Sequence, residues 1–288
     1  MNQGFRRGRR ALAIGCFARR ALVALGLIAA ATAPAAAAPS FHDSPSFLVA
    51  PAKQATPALW EVRDGDTTIY LFGTFHTLDE RTRWFDRSVR AAFDRSTELV
   101  LETIVPDDPA QIRAIGREVV GPRARPGGFF ASTTEVVARS KAAGLSVELG
   151  ADAVLKRAAS DQGKPLAGLE RFEDQLRQFA RISAAPAPIR PPSAQARAAP
   201  VTTGELLAAW KSGDTAAFTS MLAGFEAKAP AAYRILIADR NQRYATWIAS
   251  RLDYPGTVFV AVGSGHLSGK HSVQNWLSSK GIFARRIG

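Results

Sequence analysis

Two stretches of the chain share one pattern: Ile69-Tyr70-Leu71-Phe72-Gly73-Thr74-Phe75-His76 and, 190 residues on, Phe259-Val260-Ala261-Val262-Gly263-Ser264-Gly265-His266. Each is four apolar residues, a glycine, two further residues and a histidine. A glycine at a strand end lets the backbone turn sharply or approach a ligand, and an imidazole three residues on then reaches the crevice at the sheet's carboxyl edge. The chain has four histidines, and His42 and His271 carry no such motif. A single histidine more often bonds a loop carbonyl than a ligand; a matched pair shifts the balance toward ligation. Glu102 closes the apolar run Leu99-Val100-Leu101. A carboxylate there is costly to bury unless it is paired or binds a cation, and solvation at the strand exit is the other reading. Two imidazoles (His76, His266) and one carboxylate (Glu102) from three strand ends make a facial or tetrahedral metal site with open positions. Such a site polarises a carbonyl and lowers the pKa of bound water.

The second motif also runs through glycines into Lys270, the order in which a strand enters a phosphate-cradling loop. That loop needs a glycine five residues before its Gly-Lys pair and a hydroxyl residue after the lysine. Ser264 and His271 occupy those places, which argues against nucleotide binding. The helix of zinc proteases, HExxH, is absent from the sequence as well.

The motifs need elements to carry them. Asp64-Gly65 between the β-prone runs 59–62 and 67–72 predicts a hairpin. The spacing of Trp84, Phe85, Val89, Ala92 and Phe93 predicts a helix over 84–93, and 98–102 reads as a buried strand. Helices are expected at 108–118, 132–143, 152–160 and from 171 through Phe179, with a short strand at 145–149. Residues 184–200 hold five prolines and read as an excursion. Beyond it come helices at 202–211, 214–226 and 229–252, a strand at 257–262, a helix at 272–280 and a last strand at 283–287. This alternation argues for an α/β (mixed α+β) fold, a central mixed β-sheet flanked by helices, with the two GxxH motifs meeting in one crevice.

The N-terminus has its own logic. Arginines at 6, 7, 9, 10, 19 and 20 precede the apolar run 21–30 and the small residues Ala35-Ala36-Ala37-Ala38, the order of a cleaved secretory signal over 1–38. The run is too short and proline-interrupted for a membrane span. A Pro/Ala/Ser-rich leader at 39–58 and one domain at 59–288 follow. Arg19-Arg20 leaves the Sec and twin-arginine routes both open. An exported location, periplasmic or extracellular, is expected. Six arginines and no acids leave with the signal, so formal charge falls from +12 to +6. No face interleaves arginines with aromatics, so nucleic acid is not an expected partner. The single cysteine, Cys16, lies in the signal, so the domain must be held by its core without disulfides.

The segments LWEVRDGDTTIYLFGTFHTLDE, ELVLE, AGLERFEDQL and RNQRYATWIASRLDYPGTVFVAVGSGHLSGKHSVQNWLSSKGI resemble the TraB/GumN proteins, relatives of the Tiki metalloproteases, over about 59–287. The resemblance implies a metal-dependent hydrolase core with His76, Glu102 and His266 at the metal and manganese or cobalt, then zinc, as the ion. It also matches Glu170, Arg240 and Asn241 to further site positions, with Glu170 as general base or extra ligand and Arg240 neutralising an oxyanion. The plain alternatives are that Glu170 caps a helix starting near Arg171 and that Arg240 pairs with Asp239 or Glu226 on a solvated face. His271 is expected as a surface residue at a helix start.

The leading expectation is an exported metal-dependent hydrolase cleaving peptide or amide bonds in a peptide or protein substrate. The alternatives are a non-catalytic metal- or haem-type-binding envelope protein and a scaffold associated with envelope polysaccharide.

Overall fold

The structure is a computed structural model that describes residues 54–85, 87–121, 138, 140–184 and 201–288. The expected signal, most of the leader, residues 185–200 of the excursion and most of the helix expected at 132–143 lie outside them.

Six strands form one mixed sheet in the order β4-β3-β5-β2-β1-β6. β1 (Leu59–Arg63) and β2 (Thr67–Thr74) make the antiparallel hairpin expected from Asp64-Gly65. The Asp64 carboxylate fixes that turn by accepting from the backbone N–H of Asp66 at 3.2 Å and of Thr67 at 2.9 Å. β3 (Glu98–Thr103), β4 (Leu166–Glu170) and β5 (Gly256–Gly263) run parallel to β2, with β5 inserted between β2 and β3. This insertion matters for function. The last long strand to be made enters the centre of the sheet, so the second motif lands beside the first.

Residues 258–263 of β5 are buried on both faces, which is why they read as a continuous apolar run rather than an alternation. Along β2 the side chains divide by parity. Tyr70 and Phe72 face a core with Trp84, Phe93, Trp210 and Phe259, while Ile69 and Leu71 face one with Val100, Tyr244, Ile248 and Leu277.

The helices are α1 (Arg87–Arg95), α2 (Pro109–Val120), α3 (Ala151–Asp161), α4 (Phe172–Ala184), α5 (Thr203–Ser212), α6 (Ala216–Lys228), α7 (Pro230–Tyr233), α8 (Asp239–Arg251) and α9 (Val273–Ser278), of which α2 packs on α4 through Ile112, Phe172 and Leu176 in a small core of its own. Among the described residues, no helix is long and apolar enough to cross a membrane.

Four elements differ from the sequence reading. Trp84 and Phe85 precede α1 rather than belong to it; Trp84 stacks on Phe72 with centroids 5.3 Å apart, so their apolarity reports a packed approach to the helix. The expected helix at 229–252 is α7, a π-helical turn (Arg234–Ala238) and α8 in succession. Residues 145–149 form no strand, only an isolated bridge between Leu78 and Ser146. The chain there bends after Gly144 at φ 75° and must deliver Gly150 against the His76 carbonyl, 2.1 Å from where a Cβ would stand. Finally, the strand expected at 283–287 is only Arg285–Arg286, paired with Trp60 and Glu61 of β1, and Phe283 stays 74% exposed.

Candidate active site

Four parallel strands end side by side. Glu170 is the last residue of β4, Glu102 the penultimate residue of β3, Gly263 the last of β5, and His76 follows β2 by two residues. In open α/β sheets, the crevice outside these carboxyl ends is where ligands bind.

The motif glycines permit close approach. A Cβ at Gly73 would lie 2.9 Å from Ser264 Oγ, so the first motif's glycine makes room for the second motif. A Cβ at Gly263 would lie 3.2 Å from His76 Nε2, 3.5 Å from Glu102 Oε2 and 3.7 Å from His266 Cδ2. One glycine position thus adjoins all three residues that the sequence pairs as ligands. Ser264 to Leu267 close into a 3-10 turn, with Ser264 Oγ donating to the Thr74 carbonyl at 2.9 Å, which ties one motif to the other.

Each ring is held from behind. His76 Nδ1 lies 2.6 Å from Asp152 Oδ2, in the first turn of α3. His266 Nδ1 lies 2.5 Å from Asn241 Oδ1 on α8. Asn241 Nδ2 donates to the His266 carbonyl at 3.3 Å and the His271 carbonyl at 2.7 Å, so its oxygen is left to accept from the ring. With Nδ1 engaged in both rings, both Nε2 atoms are buried and have no hydrogen-bond partner among the described residues. His266 Nε2 stands 3.4 Å from Glu102 Oε2.

Glu102 is 5% exposed, which decides between the solvated and buried readings of its strand end. Its Oε1 accepts from Arg240 Nη2 at 2.5 Å and Gln175 Nε2 at 3.2 Å; its Oε2 accepts from the Gly263 backbone N–H at 3.1 Å. Arg240 is fully buried and also grips Glu170 through Nε (3.1 Å) and Nη2. Dehydrating such a carboxylate costs several kcal/mol, which a bidentate guanidinium and extra N–H donors offset. Neither plain alternative from the sequence holds: Glu170 is tied to Arg240 rather than serving as a helix cap, and Arg240 pairs with two buried carboxylates rather than with Asp239 or Glu226. His271 is half-buried, with Nδ1 3.1 Å from Tyr233 Oη, rather than a surface residue.

The electrostatics separate these groups. Burial alone would raise the Glu102 pKa, but Arg240, His266, His76 and the Gly263 N–H together hold it well below the usual carboxylate range. Burial raises Glu170, against the pull of Arg240 and with the help of the Glu102 charge. Burial would lower His76, yet Asp152 outweighs it and lifts the ring to about 9; for His266, burial wins and lowers it to about 3. Burial also drives the Tyr244 phenol well up, so it stays protonated. One carboxylate is fixed as an anion while its neighbour binds a proton more readily, the separation expected of groups with different tasks.

Whether this set suits a divalent cation turns on donors and spacing. Among the described residues, no group of three His, Cys, Asp or Glu side chains is placed to hold a metal ion as it stands. The donor types nevertheless suit one: His76 Nε2, Glu102 Oε2 and the His266 Cδ2 edge adjoin Gly263, and both Nε2 atoms are buried without a hydrogen-bond partner among the described residues. The 3.4 Å between His266 Nε2 and Glu102 Oε2 is close to the separation of two tetrahedral ligands at about 2.1 Å from one ion.

Asp152, Gln175, Gln178 and Tyr244 are site residues that the sequence reading passes over. Gln178 Nε2 donates to Glu170 at 3.4 Å, and the Tyr244 ring lies 5.4 Å from that of His266. Tyr244 was legible in principle, since Arg240, Asn241, Tyr244, Ala245 and Ile248 share one buried face of α8. Beside Glu170 lies an open cavity of about 370 Å³, walled by Ile104, Pro106, Ile115 and Phe172 and equally by Gln111, Arg171 and Glu173.

The fold is thus an α/β protein with a polar cluster at the carboxyl edge of a mixed sheet. The TraB/PrgY/gumN family model matches residues 58–125 and 110–286, and the chain belongs to that family. No curated protein matches the chain, and no solved structure does.

Proposed function

We propose that this protein is a metal-dependent hydrolase of peptide or amide bonds, exported to the periplasm or the extracellular space. His76 and His266 through Nε2, and Glu102 through its carboxylate, would hold one divalent cation, with manganese or cobalt first and zinc next. The observation that carries this reading is that His76 Nε2, Glu102 Oε2 and the His266 ring edge (Cδ2) all adjoin the single position Gly263, while both rings have a buried Nε2 without a hydrogen-bond partner among the described residues. A bound divalent cation supplies Lewis acidity toward a carbonyl and lowers the pKa of water.

The remaining work falls to the chain. Glu170, with its raised pKa and its place on the cavity wall, takes up and returns the proton that hydrolysis moves. Arg240 has no free face, being engaged with Glu102, Glu170 and the Leu236 carbonyl, so in this reading it holds both carboxylates in register rather than meeting an oxyanion. Asn241 orients His266. The cavity beside Glu170 is large enough for one side chain of a peptide, its walls offering both apolar surface and the polar groups of Gln111, Arg171 and Glu173.

The test is cleavage of a mixed peptide library by the full chain with Mn²⁺, followed by mass spectrometry. Cleavage that disappears in Glu102→Ala and in the chelated protein supports the reading. Tight cation binding without cleavage of any peptide overturns it in favour of a non-catalytic metal-binding protein, and neither binding nor cleavage points to a scaffold.

A further inference from the structure

We propose that Asp152 is the positioning residue for His76. Its carboxylate holds the ring so that Nε2 faces Glu102 and Gly263, and cation capture depends on that contact. The inference rests on the metal reading above for its affinity readout, but its geometric part stands alone.

Asp152 is not a surface acid that happens to lie near a histidine. It occupies the first turn of α3, an 11-residue helix whose start is locked to the loop carrying His76. The Ala151 N–H donates to the Phe75 carbonyl at 2.9 Å, and the missing Cβ of Gly150 lets the helix start press on the His76 carbonyl. Helix and loop are thus one unit, and the carboxylate meets Nδ1 at 2.6 Å with 28% of its side chain still exposed. No residue other than Asp152 bonds the His76 ring among the described residues.

The two motif histidines are otherwise symmetric, and their supports are not. His266 leans on the neutral amide of Asn241, which is itself anchored on two carbonyls. His76 leans on an anion. A carboxylate behind a ligating imidazole fixes its orientation and strengthens the opposite nitrogen as a donor, and losing such a partner commonly costs 10–100-fold in metal affinity. Asp152 also adds a negative charge to a cluster in which Arg240 already offsets one carboxylate, which favours a dication over none.

The experiment has two arms, both on the full chain. In metal-free protein, proton NMR of the imidazoles should show a downfield Nδ1 proton for His76, identified by its loss in His76→Gln. It should vanish in Asp152→Ala and persist in Asn241→Ala. In the second arm, calorimetric titration with Mn²⁺ should show affinity about 10–100-fold weaker in Asp152→Asn and Asp152→Ala, with circular dichroism of the metal-free variants showing that both remain folded. Wild-type Mn²⁺ affinity together with an intact Nδ1 signal in Asp152→Ala would overturn the proposal. A wild-type protein that binds no Mn²⁺ but loses the Nδ1 signal with Asp152 would retain the positioning role and remove the metal reading instead.

Discussion

Replacing Arg240 with methionine, in protein stripped of metal by chelation, removes the guanidinium that bridges Glu102 and Glu170. Both carboxylates have side chains only 7% exposed, so water cannot take over the role of the lost partner. Removing one member of a buried ion pair costs roughly 3–5 kcal/mol, because a charge is left uncompensated. In a domain of this size that is a melting temperature lower by roughly 6–20 °C near neutral pH.

The pH dependence is the sharper part. Without Arg240, burial and mutual repulsion raise the folded-state pKa values of the two carboxylates above their unfolded value of about 4.3. The folded variant then binds protons that the unfolded chain does not, so its stability rises as pH falls toward about 5. In the wild type Glu102 is depressed; its contribution is present above the unfolded pKa and is lost as pH falls through the folded one. The deficit of the variant should therefore shrink on acidification, read by urea denaturation followed by circular dichroism at about pH 7 and about pH 5. A deficit under about 1 kcal/mol that is the same at both pH values, as for an exposed ion pair, would refute the reasoning.

Three further outcomes are expected. Gly263→Ala places a methyl 3.2 Å from His76 Nε2 and 3.5 Å from Glu102 Oε2, so Mn²⁺ affinity by titration should drop at least about tenfold while folding is retained; unchanged affinity would mean that cations bind elsewhere. Gly150→Ala puts a Cβ onto the His76 carbonyl, and overpacking against backbone should cost about 1–3 kcal/mol in urea unfolding, with an unperturbed midpoint counting against the packing described. In metal-free protein the raised pKa of His76 adds stability that is full below about pH 6.5 and is lost as pH climbs to about 9, at most roughly 3 kcal/mol; this decline should be absent from His76→Gln.

Much of this arrangement is legible in the sequence where the signal is local. Asp64-Gly65 marks its hairpin, the glycine-histidine spacing marks both strand ends, and Leu99-Val100-Leu101-Glu102 marks a buried strand with a carboxylate at its exit. What escapes is set by topology. That β5 enters between β2 and β3 is not written in any short stretch, yet it alone brings residues 190 positions apart to one place.

From its local sequence alone Arg240 also reads as a residue of a solvated helix face, paired with Asp239 or Glu226; only the resemblance marks it and Asn241 as site residues. The π-helical turn at Arg234–Ala238 inserts an extra residue per turn just before α8 and so resets which face of that helix meets the sheet. Asp152 carries no motif at all, since its role depends on where α3 begins. That start is fixed by the fit of Gly150 against His76, immediately after the stretch 145–149 that reads by apolarity as a strand and forms only an isolated bridge.

The central claim is that His76, His266 and Glu102 grip one divalent cation. Anomalous diffraction from crystals of the full chain grown with Mn²⁺ tests it most directly. The account expects one strong manganese peak within about 2.0–2.6 Å of His76 Nε2, His266 Nε2 and a Glu102 carboxylate oxygen. A map with no peak among these three side chains, or with Glu102 still bonded to Arg240 alone and the manganese elsewhere, would contradict it.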